Sequence, residues 1–389
     1  MALLNMQLDP ARRGREADSL SSHLRRCIVG QNEAIEQIVN VYQRHLTGIS
    51  TPDRPVGNLL FLGPTGSGKT RIVEVTAEAL VGNSRALTKI DCAEFQQSHE
   101  IAKLVGSPPG YLGHRETHPL LSQEKLNQHH TEKCKLSFVL FDEIEKANDA
   151  LWSLLLGILD KATLTLGDNR RVDFSNAIIF MTSNLGAREM TNVIAPKLGF
   201  RTASPLQNIS SDGRLETKIA NAGVEAARRR FTPEFINRLD NITVFKPLGD
   251  TELRKILDIE LRIVQRRILA AGGNPFMLTC SSPARDFLLS EGTDMRYGAR
   301  HLNRAIERHL VQPLSNLMAT DQICSGDSLR VDYDVPSGCM VFVKDGQGIP
   351  LYVISEAADA VLPFPAVVQA NGASGNQKSS AWSGRRKAS

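Results

Sequence analysis

At 389 residues with 41% hydrophobic side chains, the chain can bury a large core and has the length of two or three domains. Its 46 Lys and Arg against 42 Asp and Glu leave a net charge of +4, too little to demand a nucleic-acid or membrane partner. No apolar run approaches the ~18 residues that cross a bilayer, and the N-terminus lacks a signal-peptide core, so a cytoplasmic location is expected.

Residues 1–17 are polar and read as a flexible N-terminus. A short helix is predicted over 18–26, then an amphipathic one over 32–46, where Ile35, Ile38, Val39 and Tyr42 recur at three- and four-residue spacing. Thr51-Pro52-Asp53-Arg54-Pro55 breaks the chain before an apolar strand at 58–62. That strand runs into Gly63-Pro64-Thr65-Gly66-Ser67-Gly68-Lys69-Thr70, and a helix is predicted over 71–80. Strand, loop and helix in this order suit a phosphate-cradling loop of the Walker A type. The glycines let backbone N–H groups turn inward, and the helix presents the positive end of its dipole. Lys69 would reach the outer phosphates and Thr70 would ligate Mg²⁺, so a bound nucleoside triphosphate is expected.

Further strands are predicted at 86–90, 136–141, 177–181 and 241–245. Strands alternating with helices give an α/β fold with a doubly wound, parallel, five-stranded sheet, whose ligands sit at the carboxyl ends of the strands. The 136–141 strand runs straight into Asp142-Glu143, and two carboxylates there are costly unless they face a polar or metal site. Beside a phosphate loop, Asp142 would hold Mg²⁺ at one remove and Glu143 would orient and deprotonate an attacking water. Acids favourable to the first turn of a following helix are the structural alternative, compatible with the same roles. The 177–181 strand ends in Thr182-Ser183-Asn184, where an amide could bond both the γ-phosphate and the water; Ser-Asn is also ordinary turn chemistry.

Eight motifs in order carry a resemblance. They are Ile28-Val29-Gly30-Gln31, the phosphate loop, Gly106-Ser107-Pro108-Pro109-Gly110-Tyr111-Leu112-Gly113 and Phe141-Asp142-Glu143-Ile144-Glu145-Lys146-Ala147. Arg171-Val172-Asp173-Phe174, Met181-Thr182-Ser183-Asn184, Pro233-Glu234-Phe235-Ile236-Asn237-Arg238-Leu239-Asp240 and Tyr297-Gly298-Ala299-Arg300 follow. Together they resemble the second ATPase module of the Clp-type AAA+ unfoldases (ClpA, ClpB, ClpC). The resemblance implies ATP as the nucleotide, with Ile28 and Val29 flanking adenine and Asn184 sensing the γ-phosphate. Arg238 matches the arginine finger that enters the neighbouring subunit's site, which implies a homo-oligomeric ring, hexameric in the family. Arg300 matches the second sensor, on the small domain.

Tyr111 sits between glycines, a poor place for a core side chain. It matches the family's axial pore loop, which grips threaded polypeptide, with Leu112 adding apolar contact. His114-Arg115-Glu116-Thr117-His118-Pro119 departs from the family's glycine-rich acidic run there. A second pore loop is expected around 164–169. Leu198-Gly199-Phe200 resembles the tripeptide by which protease-partnered relatives dock on the ClpP peptidase; packing of Leu198 and Phe200 on the protein's own body accounts for it equally well. His129, His130 and Cys134 fit no zinc spacing, and the six cysteines are scattered, as free thiols of a reducing compartment are.

The large nucleotide-binding domain is thus expected over 18–247 and a small helical domain with a closing strand over 248–335. A poorly ordered tail follows over 336–389, in which 340–343 could pair with 351–354. An ATP-driven unfoldase acting on unfolded or tagged polypeptide, alone or with a ClpP-like peptidase, is the leading reading. A nucleic-acid motor or clamp loader is disfavoured by the aromatic loop and the lack of a basic stripe. A non-turnover scaffold is disfavoured by Glu143 and Arg238.

Overall fold

Strand and helix positions follow from where apolar residues can be covered on one side or two. The computed structural model describes residues 9–83, 85–107, 119–194, 213–271, 273–293, 299–350 and 352–355. Its first seven strands are β1 (Gly57–Leu62), β2 (Leu87–Asp91), β3 (Ser137–Asp142), β4 (Thr163–Thr165), β5 (Arg171–Asp173), β6 (Ala177–Ser183) and β7 (Asn241–Val244). Five of them form one parallel sheet in the order β2-β3-β6-β1-β7, and β4 pairs antiparallel with β5. In β1 and β6 every residue is buried, because both faces of the sheet are covered.

Alternation along the strands divides the core. Leu59, Phe61, Phe138, Leu140, Ile178 and Phe180 face α1 (Arg15–Cys27), α2 (Asn32–Leu46) and α3 (Lys69–Val81). The opposite face presents Leu60, Leu62, Val139, Phe141, Ile179 and Met181. On that side lie α4 (Ala102–Val105), α5 (Gln123–Asn127), α6 (Asp149–Lys161), α7 (Ala187–Ile194), α8 (Gly213–Arg230) and α9 (Pro233–Ile236). Helix α1 starts at Arg15, inside the stretch expected to be flexible, because Ala17 is buried against the core.

A separate core follows. Helix α10 (Asp250–Ala270) contributes Leu253, Leu257, Leu261, Val264 and Ile268, which pack with α11 (Ser282–Gly292), α12 (Arg300–Ile306) and α13 (Gln312–Ala319). Its sheet holds β8 (Met277–Cys280), β9 (Ser328–Asp334) and β10 (Cys339–Gly346) in the order β10-β9-β8. Here the expected tail is corrected. Residues 339–346 pair antiparallel with β9, setting Phe342 opposite Val331, and Ile349 N–H donates to the Gly326 carbonyl at 2.8 Å. Residues 352–355 are helical and bury Ile354, so of the expected 351–354 partner the described residues 352–354 do not pair with 340–343.

Tyr111 and Leu112 lie outside the described residues, as do Leu198, Gly199 and Phe200. What flanks Tyr111 is described. Leu120 and Leu121 N–H groups donate to the Lys103 and Leu104 carbonyls, both at 3.1 Å, tying together the two ends of the 108–118 segment. The 164–169 stretch lies in the β4–β5 hairpin, and its Gly167 N–H donates to the Val105 carbonyl at 2.8 Å. A Cβ on Gly167 would lie 2.5 Å from the Gly106 carbonyl oxygen, so backbone meets backbone there. All six cysteines are free thiols, and no described helix is long and apolar enough to cross a membrane.

Candidate active site

The loop after β1 begins with a close approach. Gly63 has φ 145°, and a Cβ there would sit 2.6 Å from the Phe245 carbonyl oxygen, which excludes every other residue without a backbone shift. Gly68, at φ 98°, caps α3 and leaves the first N–H groups of that helix facing the cleft. Gln31 braces the loop: its Nε2 donates to the Ser67 carbonyl (3.2 Å) and the Lys246 carbonyl (2.9 Å), while its Oε1 accepts from Lys246 N–H (3.1 Å).

Lys69 opens α3 and is buried. Its Nζ donates to the carbonyls of Gly63 (2.7 Å) and Pro64 (2.9 Å) and to Asn184 Oδ1 (3.0 Å). Burial pulls its pKa down from 10.5 to about 8, against the opposing pull of Glu145 and Asp142. Between pH 8 and 10.5 the unfolded chain therefore holds more protons than the folded one, so the stability penalty of this buried ammonium, full below pH 8, is relieved as pH rises through that window. A bound triphosphate favours the ammonium and reverses the shift. Calorimetric ATP titrations above pH 8, in buffers of different ionisation enthalpy, should show proton uptake that is absent at neutral pH.

The carboxyl ends of β3 and β6 bring the remaining groups alongside. Thr70 Oγ1 lies 3.4 Å from each Asp142 oxygen, and Lys89 Nζ is 3.1 Å from Asp142 Oδ2. A hydroxyl and a carboxylate, both hard oxygen donors beside a phosphate loop, fit Mg²⁺, which binds through few protein oxygens together with phosphate and water. Glu143 turns the chain in the left-handed region (φ 56°), and its side chain accepts from Asn184 Nδ2 at 3.1 Å and pairs with Lys146. Asn184 thus joins Lys69 to Glu143, one amide end on each, while its own N–H donates to Glu145 Oε1 at 3.0 Å.

Apolar side chains also line the cleft: Ile28 and Val29 together with Leu248, Ile256 and Ile259, while α12 contributes Arg300 and Asn303. The Ala299 N–H donates to the Gly66 carbonyl at 3.3 Å, so the second core touches the phosphate loop directly.

Among the predicted residues, Ile28, Val29, Thr65–Thr70, Asp142, Glu143, Asn184 and Arg300 therefore share one cleft. Arg238 does not line it. Its guanidinium pairs with Asp160 and, at 3.0 Å, with Glu234, and its carbonyl accepts from Arg54 Nη2 (3.0 Å) and Asn58 Nδ2 (3.2 Å). In sequence, Gln31 and Lys146 stand out only as motif members and Lys89 carries no signal, yet all three touch the site. On α10, Leu253 and Leu257 face the core, Ile259 lines the cleft, and Ile256 meets both.

Residues 54–242 match the family model "AAA domain (Cdc48 subfamily)", and residues 248–331 match "C-terminal, D2-small domain, of ClpB protein". The chain is similar to the chaperone protein ClpB of Rhodopirellula baltica, with 33% identity over 315 residues, 81% of this chain and 33% of the relative. It is also similar to the chloroplastic chaperone protein ClpC3 of Oryza sativa subsp. japonica, with 37% identity over 332 residues, 85% of this chain and 34% of the relative. A solved chain from a closed-state reconstruction of Hsp104 with ATPγS and FITC casein matches with a TM-score of 0.67 at 28% identity, over 84% of this chain and 52% of that one. This chain spans about a third of the length of the curated relatives it matches. With the two family models in this order and residues of both lining one cleft, the chain belongs to the Clp-type AAA+ ATPases and corresponds to their second ATPase module.

Proposed function

We propose that this chain hydrolyses ATP with Mg²⁺ inside a homo-oligomeric, hexameric ring in the cytoplasm and uses the cycle to unfold and thread polypeptide. The observation that carries the reading is the amide of Asn184 bridging Lys69 and Glu143, which sets a phosphate-binding cation and a general base at the two ends of one side chain. Gly63, Pro64, Thr65, Gly66, Ser67 and Gly68 cradle the phosphates, and Lys69 neutralises them. Thr70 and Asp142 hold the Mg²⁺, which polarises the phosphates when bound. Glu143 takes the proton of the attacking water, held in line by Asn184. Ile28 and Val29 flank the base, and Arg300 reports nucleotide state to the small domain. The position of Arg238 outside its own cleft supports its delivery to the next subunit's nucleotide.

We take the large domain to run to 247, beginning with α1 at Arg15 rather than at 18, and start the small one at 248, carried on through β10. Tyr111 and Leu112 would grip the threaded chain, from a segment whose ends are tied at Lys103–Leu121. Leu198, Gly199 and Phe200 would dock a ClpP-like peptidase. The purified chain with ATP is expected to unfold a tagged fluorescent protein, read as loss of fluorescence. Tyr111→Ala should keep ATP turnover and lose unfolding; unimpaired unfolding would remove the gripping role. Turnover stimulated by single-stranded DNA and indifferent to unfolded protein would overturn the polypeptide reading.

A further inference from the structure

Thr182, on β6, has no assigned part in this chemistry, yet both acidic residues of the site converge on its hydroxyl. The side chain is buried, 1% exposed. Its Oγ1 donates to Asp142 Oδ1 and accepts from the Glu143 N–H at 3.0 Å. A hydroxyl has one proton, and an ionised carboxylate can only accept, so the proton goes to Asp142 and a lone pair is left for the amide. The amide it receives belongs to the residue with φ 56°, a left-handed backbone that a side-chain-bearing residue adopts only when its surroundings hold it. That turn aims the Glu143 carboxylate at Asn184 Nδ2. Meanwhile the bond to Asp142 fixes the rotation of its carboxylate, leaving Oδ2 toward Lys89 and both oxygens within 3.4 Å of Thr70 Oγ1.

We infer that Thr182 is the positioning residue of this site, one hydroxyl setting the Mg²⁺-side carboxylate and the general base together. The inference rests on the hydrolytic reading above. Val in its place keeps the branched shape but leaves the part-buried Glu143 N–H without its acceptor, so the turn relaxes and the carboxylate leaves Asn184. Asp142 is freed at the same time.

The test compares Thr182→Val, Thr182→Ser and Glu143→Gln with the parent chain. A misplaced base of this kind lowers turnover by about 10²-fold, and Thr182→Val is expected to show that loss in kcat with KM little changed. Thr182→Ser restores the hydroxyl and should return kcat to within a few-fold of the parent. A second reading is independent of turnover. Affinity for a fluorescent ATP analogue in EDTA should be unchanged in Thr182→Val, while the extra affinity gained on adding Mg²⁺ should be largely lost. If the Val variant does not fold, Thr182→Ala against Thr182→Ser gives the same contrast.

Thr182→Val turning over at the parent rate while Glu143→Gln is slow would overturn the positioning role and spare the hydrolytic reading. A Ser variant as slow as Val would assign the effect to packing, and equal loss of affinity in EDTA and in Mg²⁺ would assign it to a collapsed pocket; either defeats the inference. Full turnover by Glu143→Gln would defeat the hydrolytic reading itself.

Discussion

Replacing Glu143 by Gln is expected to lower ATP turnover by about 10²–10⁴-fold, the contribution of a positioned general base, and to leave ATP bound. Gln keeps an oxygen that can accept from Asn184 Nδ2, so the Lys69–Asn184 arm of the site stays in place. It cannot take a proton from water, and it no longer pairs with Lys146. The nucleotide should therefore remain as triphosphate, rings should persist, and polypeptide captured in the pore should be retained. Single-turnover hydrolysis and co-purification of a labelled substrate measure both halves. Fast turnover by this variant would take the base away from Glu143.

Removing the Arg238 guanidinium should have an effect of the same order for a different reason. Arginine fingers in nucleotide hydrolases contribute ~10³–10⁵ in rate by stabilising charge on the transferring phosphoryl group. Arg238→Ala should bind ATP as the parent does, since the residue does not line its own cleft. Its partners Asp160 and Glu234 lie toward solvent, where ion pairs are weak, so the stability lost should come mainly from the packing of the largely covered Arg238 side chain. The decisive experiment mixes Arg238→Ala with Glu143→Gln. Each is inactive alone, but wherever an intact Glu143 meets a neighbour's intact Arg238 a complete site forms, so turnover should reappear at the frequency of that pairing. Mixed rings as inactive as either parent variant would place Arg238 outside the reaction.

The large domain was legible because a parallel sheet covered on both faces needs nearly continuous apolar strands, and few other stretches have them. Residues 58–62, 136–141 and 177–181 each fall within a strand or one residue outside it. The phosphate loop was legible because its glycines are sterically required, as Gly63 against the Phe245 carbonyl illustrates. The pairing of β10 was not. Met340-Val341-Phe342-Val343 has a pattern that suits any partner strand, and choice of partner is a tertiary matter. Thr182 was passed over because a Thr before Ser-Asn at a strand end reads as turn chemistry, and only the register of β3 beside β6 sets its hydroxyl against two acids. That Ile256 and Ile259 of α10 reach the cleft likewise needed both bodies in view.

The glycine-on-glycine seam between residues 106 and 167 bears on how load could travel. No side chain lies between the two stretches of main chain, so there is nothing compressible to absorb a tug. Strain arriving at residue 106 would pass into the β4–β5 hairpin, then through Ala162 into α6, whose Asp160 anchors Arg238. If Arg238 acts on a neighbouring subunit as proposed, tension on a threaded chain and the reach of that arginine would then be mechanically geared to each other.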